Sequence, residues 1–203
     1  MKKRRRKKYR KKNYSVAMII IVLIVFIAQA MFLQPRQKPL TQEEVEKATG
    51  IPYNIDSIPE SNKRLLKHRK IKYIVVHNTA NPESTARNER DYLTNETNVD
   101  STSWHIAVDE KEMVEAIPVT EIANHAGDVV GNEYGIGIEI CESGDYKQAE
   151  ENATKLIAYL MKRYHIPLSR VTTHQHFSGK ACPRLLLDHW KGFIAKVKSN
   201  YEA

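Results

Sequence analysis

Two histidines and a cysteine, His77, His174 and Cys182, have the types and local settings that deliver one zinc ligand each. His77 closes the β-branched run Lys72-Tyr-Ile-Val-Val-His77-Asn-Thr, which reads as a buried strand with its imidazole at the carboxyl end. His174 and Cys182 flank the loop His174-Gln-His-Phe-Ser-Gly-Lys-Ala-Cys182-Pro, where the glycine permits a turn. Three protein ligands of this kind leave a fourth tetrahedral position for water, the arrangement of a catalytic rather than a structural zinc.

A carboxylate and a lysine accompany them. In Gly135-Ile-Gly-Ile-Glu-Ile-Cys141, residues Ile136, Ile138 and Ile140 share one face of a strand, and Glu139 and Cys141 share the other. Burying a carboxylate unpaired costs several kcal/mol, so Glu139 either meets a cation or faces a polar cavity at the end of the sheet. Two neutral imidazoles and one thiolate leave a zinc site with a single positive charge. The thiolate donates more electron density than a third imidazole, so a water there needs help losing its proton. Glu139 is the candidate general base for that step. Lys180, two residues before Cys182, is placed to stabilise an oxyanion and to favour the Cys182 thiolate. The rival readings are an ordinary ion pair for Glu139, a solvated loop charge for Lys180, and a Cys141–Cys182 disulfide that would remove one zinc ligand.

The elements that position these groups alternate between strand and helix over residues 70–200. Ile71–Val76 is a predicted strand, Ser84–Asn95 an exposed helix, and Trp104–Val108 with Met113–Pro118 a hairpin around Asp109-Glu110-Lys111-Glu112. A helix from about Tyr146 carries Ala149, Ala153, Leu156, Ile157, Leu160 and Tyr164 on one apolar face. Arg170–His174 is the last predicted strand, and Pro183 is suited to open a final helix. A hairpin combined with alternating elements predicts an α/β fold, a mixed sheet flanked by helices.

The first third is of a different kind. Residues 1–14 carry ten Lys or Arg and no acid. Val16 to Leu33 then give eighteen residues interrupted only by Gln29, long enough to span a bilayer as a helix at about 1.5 Å per residue. Residues 15–33 are therefore a predicted transmembrane anchor, with the basic end in the cytoplasm and the remainder outside. The alternative is secretion after cleavage near Ala30, in Ala28-Gln29-Ala30. Residues 34–69, broken by Pro35, Pro39, Pro52 and Pro59, read as an extracellular stalk. One short helix fits there, capped at Thr41-Gln-Glu-Glu44 and stopped at Gly50; the other reading is a segment that packs on the domain or recognises a partner. The net charge of +8 invites nucleic acid, but removing the ten amino-terminal cations leaves 22 Lys and Arg against 24 Asp and Glu. That balance argues against a nucleic-acid partner and for anionic headgroups beside the anchor.

Five blocks, taken in order, resemble the zinc N-acetylmuramoyl-L-alanine amidases, relatives of phage endolysin amidases and of peptidoglycan-recognition proteins. They are Val-Val-His77-Asn-Thr, Ser-Trp104-His105-Ile-Ala-Val-Asp, Asn-His125-Ala-Gly-Asp, Gly-Ile-Glu139-Ile-Cys, and His174-Gln-His-Phe-Ser-Gly-Lys180-Ala-Cys182-Pro. The resemblance runs from about Ile71 to Leu187. It implies a peptidoglycan-recognition-like fold and hydrolysis of the amide between the lactyl group of N-acetylmuramic acid and L-alanine of the peptidoglycan stem peptide. It also implies Zn²⁺ on His77, His174 and Cys182, catalysis by Glu139 and Lys180, and a substrate groove holding His125, with Trp104 and His105 as groove or packing residues. Two departures stand out: Trp104 replaces a frequent tyrosine, and His176 replaces an aspartate, which makes His176 a rival ligand to His174 if the two share a face of an extended segment. Some relatives grip muropeptides without cutting them, usually lacking a ligand, commonly the cysteine; this chain has Cys182.

Overall fold

The computed structural model describes residue 16, residues 18–26 and residues 37–203. Residues 18–26 are helical and belong to a unit of their own, separate from the unit Gln37–Ala203. Among the described residues no helix is long and apolar enough to cross a membrane. Much of the anchor expected over 15–33, and all of the basic segment 1–14, lies outside the described residues.

In the second unit the elements run α1 (Gln42–Thr49), β1 (Tyr53–Ile55), β2 (Tyr73–Asn78), α2 (Ala86–Tyr92), β3 (Ile106–Val108), β4 (Met113–Glu115), α3 (Val129–Tyr134), β5 (Gly135–Ile140), α4 (Tyr146–Tyr164), β6 (Val171–Thr173), α5 (His174–Ser178) and α6 (Trp190–Glu202). The six strands form one sheet in the order β1-β4-β3-β5-β2-β6. Only β3 and β4 are antiparallel; the other neighbours are parallel. The expected mixed sheet with helices is what forms.

Its two faces differ in chemistry because side chains alternate along a strand. Ile74 and Val76 of β2, Ile106 and Val108 of β3, and Ile136, Ile138 and Ile140 of β5 point into one core with Ala149, Ala153, Leu156, Ile157, Leu160 and Tyr164 of α4 and with Phe193 and Val197 of α6. The apolar stripe read from the sequence of α4 is thus buried along its length. On the opposite face the same strands, with the residue before β3, present His77, His105, Gly135, Gly137 and Glu139. That face and the carboxyl ends of the parallel strands carry the chemistry, as in open α/β sheets generally.

Residues 37–69 are not a stalk. Leu40, Val45, Ile51 and Tyr53 are buried in the main core, and β1 extends the sheet by parallel pairing with β4. The helix within this segment is as expected: Thr41 accepts from the Glu44 N–H and Gly50 ends it at φ 71°. The final helix departs from expectation, since Pro183 opens a turn and a 3₁₀ segment (Leu187–His189), and α6 begins only at Trp190. The exposed helix expected over Ser84–Asn95 is confined to Ala86–Tyr92 behind a Thr85–Asn88 capping box.

Candidate active site

Register decides which groups meet. In the parallel ladder of β2 and β5, His77 stands opposite Glu139, so both side chains leave the same face. Glu139 Oε1 lies 3.8 Å from His77 Nδ1. On the other side of β2, Val76 pairs with Thr173 of β6, which brings His174 level with His77. There β6 ends, because the Thr173 hydroxyl accepts from the His176 N–H and caps α5. His174 therefore occupies the first position of a short helix and not the end of an extended segment, and the two histidines no longer share a face. His174 is buried, and His176 is exposed beside Phe177.

Gly179, at φ 78°, turns the chain back after α5. The Gln175 N–H then donates to the Cys182 carbonyl at 2.9 Å, and the Leu185 N–H to Asn78 Oδ1 at 3.0 Å, tying the returning loop to the end of β2. The result is a convergence of three donor atoms. His77 Nδ1 is 3.1 Å from His174 Nδ1 and 3.9 Å from Cys182 Sγ, and one donor atom from each of the three residues fits within 4.8 Å of the others. Both cysteines are free thiols, so no Cys141–Cys182 disulfide competes. Cys141 is buried against Ala86, Ala107 and Val114.

Electrostatics on this floor are those of a dry site. Burial, and then the neighbouring His125, His174 and Lys180, hold His77 far below its ordinary pKa. Burial likewise lowers His174, with Lys180 adding to the effect. Burial pushes the Glu139 carboxyl up to about 8, helped by Glu89 and opposed by Lys180. The Cys182 thiol is raised to about 11 by burial, against the lowering effects of the Asn78 backbone and Lys180. Lys180, exposed on the loop, is thus too weak an influence to make Cys182 a thiolate by itself. A divalent cation would do so, and two neutral imidazoles with an ionisable thiol suit zinc. Glu139 Oε2 is buried without a hydrogen-bond partner among the described residues, a carboxylate oxygen left for something the protein does not itself supply. The residues fit the metal.

These groups line one end of a cleft of about 720 Å³, which also takes in Asn81, Asn88, Tyr92, Trp104 and Arg184. Trp104 lies in its wall with its ring stacked on Tyr92, centroids 6.3 Å apart and planes 9° apart. His105 is not in the cleft: it is fully buried, Nδ1 accepting from the Gly137 N–H at 2.9 Å and Nε2 donating to the Glu121 carbonyl at 3.0 Å. Its expected groove role gives way to one of pinning β3 and β5 together. His125 borders the cleft, but both of its ring nitrogens are engaged, Nδ1 with His77 Nε2 at 3.1 Å and Nε2 with the Gly135 carbonyl at 3.0 Å. Sequence reasoning missed Arg69, whose guanidinium donates to the same Gly135 carbonyl at 2.6 Å and to that of Val119 at 2.8 Å. The Gly135-Ile-Gly alternation was a signal for this cluster: a Cβ at Gly137 would lie 2.6 Å from His125 Cγ.

The profile of the family Amidase_2, N-acetylmuramoyl-L-alanine amidase, matches residues 67–185. The chain is 44% identical over 135 residues to the N-acetylmuramoyl-L-alanine amidase CwlH of Bacillus subtilis (strain 168), covering 63% of this chain and 53% of that protein. It is 45% identical over 131 residues to the amidase XlyA of the same organism, covering 62% and 43%. The chain spans about half the length of the curated relatives it matches. Among solved structures, that of the XlyA catalytic domain superposes with a TM-score of 0.70 at 42% identity, over 72% of this chain and 99% of that one.

Proposed function

The chain belongs to the Amidase_2 family of N-acetylmuramoyl-L-alanine amidases, and from that premise we propose that it hydrolyses the amide joining the lactyl group of N-acetylmuramic acid to L-alanine in peptidoglycan, with Zn²⁺ as its cofactor. The observation that carries the reading is the meeting of His77, His174 and Cys182 on the floor of a cleft beside a buried carboxylate. A recognition module has no use for that combination; a hydrolase does.

His77, His174 and Cys182 would hold the zinc, which supplies Lewis acidity toward a water molecule and the scissile carbonyl. The remaining steps fall to the chain's own side chains. Glu139 takes the proton of the attacking water on its carboxylate, where burial has already made it a stronger base than an exposed glutamate. The same carboxyl then carries that proton to the departing amine of L-alanine. Lys180 stabilises the oxyanion that develops on the carbonyl, its charge being felt at His77, His174 and Cys182. Trp104 and Tyr92, stacked in the cleft wall, offer an apolar surface to the substrate.

The reading extends to place. Ten cations in residues 1–14, followed by the apolar run Val16–Leu33, support a single-pass anchor with the enzyme domain outside the cytoplasmic membrane, where peptidoglycan lies. Such an anchor would restrict the enzyme to wall near the membrane.

The test is to digest purified peptidoglycan with the full-length protein and analyse the products by mass spectrometry. Stem peptides beginning with free L-alanine, and glycan bearing unsubstituted lactyl groups, are the expected products. Intact lactyl amides together with tight wall binding would identify a non-cutting recognition module.

A further inference from the structure

We propose that His125 is a positioning residue that fixes the tautomer and orientation of His77, a role distinct from the substrate contact its place in the cleft suggests. The inference rests on the zinc reading above, and its geometry involves neither the metal nor the substrate.

With the rings neutral, the chain of hydrogen bonds admits one assignment of protons. The Gly135 carbonyl can only accept, so His125 Nε2, 3.0 Å away, carries a hydrogen and donates it. The Arg69 guanidinium donates to that same carbonyl at 2.6 Å. In a neutral imidazole that donates from Nε2, the lone pair is on Nδ1. That lone pair faces His77 Nε2 at 3.1 Å, so His77 is the donor and its proton sits on Nε2. The neutral His77 ring then has its lone pair on Nδ1, the atom that faces His174 Nδ1 and Cys182 Sγ. A sequence of acceptor and donor beginning at a backbone carbonyl thus ends by aiming one defined nitrogen at the metal position.

The surroundings hold this relay rigid. Asn132 Oδ1 accepts from the backbone N–H groups of His125 and Ala126, at 2.9 and 2.7 Å, and fixes where the ring starts. The ring lies against Gly137, where any side chain would overlap it. The absence of a Cβ at Gly137 is what lets the His125 imidazole approach the strand there and meet His77 edge-on, the two ring planes 85° apart. Outer partners of this kind raise ligand basicity and restrict ring rotation, and losing one typically weakens metal binding about 10- to 100-fold.

The experiment measures zinc affinity of the full-length protein by competition with a chromophoric chelator, for the wild type, His125→Phe and His125→Asn. Phenylalanine keeps a ring on Gly137 but offers no acceptor; asparagine keeps an oxygen near the position of Nδ1. The expected result is a loss of about 10- to 100-fold for His125→Phe, with most of the affinity kept by His125→Asn. Equal losses in both variants, or none in either, would reduce His125 to a packing residue and overturn the proposal. Should His125→Phe fail to fold, histidine-labelled ¹⁵N spectra of the metal-loaded wild type decide alone. Metal on His77 Nδ1 with the proton on Nε2 supports the relay, and metal on Nε2 overturns it. A wild type that binds no zinc would instead bring down the functional reading itself, an outcome separate from these.

Discussion

His77 and Glu139 stand opposite one another in the parallel register of β2 and β5, and their side chains come within 3.8 Å on the polar face of the sheet. Neither a loop nor a flexible segment sets this distance. Strand pairing does, so a candidate ligand and a candidate base are held together by the hydrogen-bond ladder itself, the kind of rigid support that site geometry requires.

That pairing gives the first prediction. Glu139→Gln preserves shape and removes the base, so the variant should retain a full equivalent of zinc while turnover on peptidoglycan falls by about 10² or more. Metal analysis and initial rates on the same preparation check it; an unimpaired rate would remove Glu139 from the mechanism.

A second prediction separates two neighbouring histidines. His174 is buried with Nδ1 aimed at His77, and His176 points outward from α5. His174→Ala should therefore lose zinc and activity together, and His176→Ala should keep both within about twofold. The reverse pattern in metal content would exchange their roles. The sequence left this choice open because the segment looked extended; a single Thr173 cap, converting it to a helix, separates the two rings.

The third concerns the sheet beneath the site. Gly137→Ala would put a methyl group 2.6 Å from His125 Cγ, an overlap that forces the ring or the strand to move. A loss of about 1 to 3 kcal/mol is expected from overpacking of this kind, read as a lower denaturant midpoint, together with weaker zinc binding. Wild-type stability in this variant would show that the His125 ring is not confined there.

The fourth lies far from the metal. Glu115 at the end of β4 is almost wholly buried, with Tyr53 donating to Oε2 and the Val119 N–H to Oε1 at 3.2 Å, and burial raises its carboxyl to about 7 from an ordinary 4.5. A raised acid binds its proton more tightly folded than unfolded. Its contribution to stability is thus complete below about pH 4.5 and is lost as the pH climbs through about 7. Across that window Glu115 by itself should withdraw up to about 3 kcal/mol, and Glu115→Gln should remove that part of the slope. Denaturant titrations at pH 4.5, 6 and 8 provide the measurement, and equal slopes in the two proteins would refute the assignment.

Much of this architecture was legible in the sequence where periodicity and burial agree. The β-branched run of β2, the alternation of β5 and the stripe of α4 each bury the face their pattern marks. The segment 37–69 was misread because its core residues, Leu40, Val45, Ile51 and Tyr53, are spread among prolines and follow no single period. A core contribution assembled from one short helix and a three-residue strand leaves no run long enough to recognise. In the site, residue types marked His77, His174, Cys182 and Glu139 as candidates that the structure brings together, but hydrogen-bond partners depend on tertiary geometry. His105, read as a groove or a packing residue, proved to be a buried strut, and Arg69 carried no signal at all.

The central claim is that hydrolysis depends on zinc held by His77, His174 and Cys182. Its most direct test strips the purified full-length protein with a chelator, returns Zn²⁺ in increments, and counts free amino-terminal L-alanine released from peptidoglycan. Activity should vanish on stripping and return in proportion to zinc up to one equivalent. Undiminished release from verified metal-free protein would contradict the account.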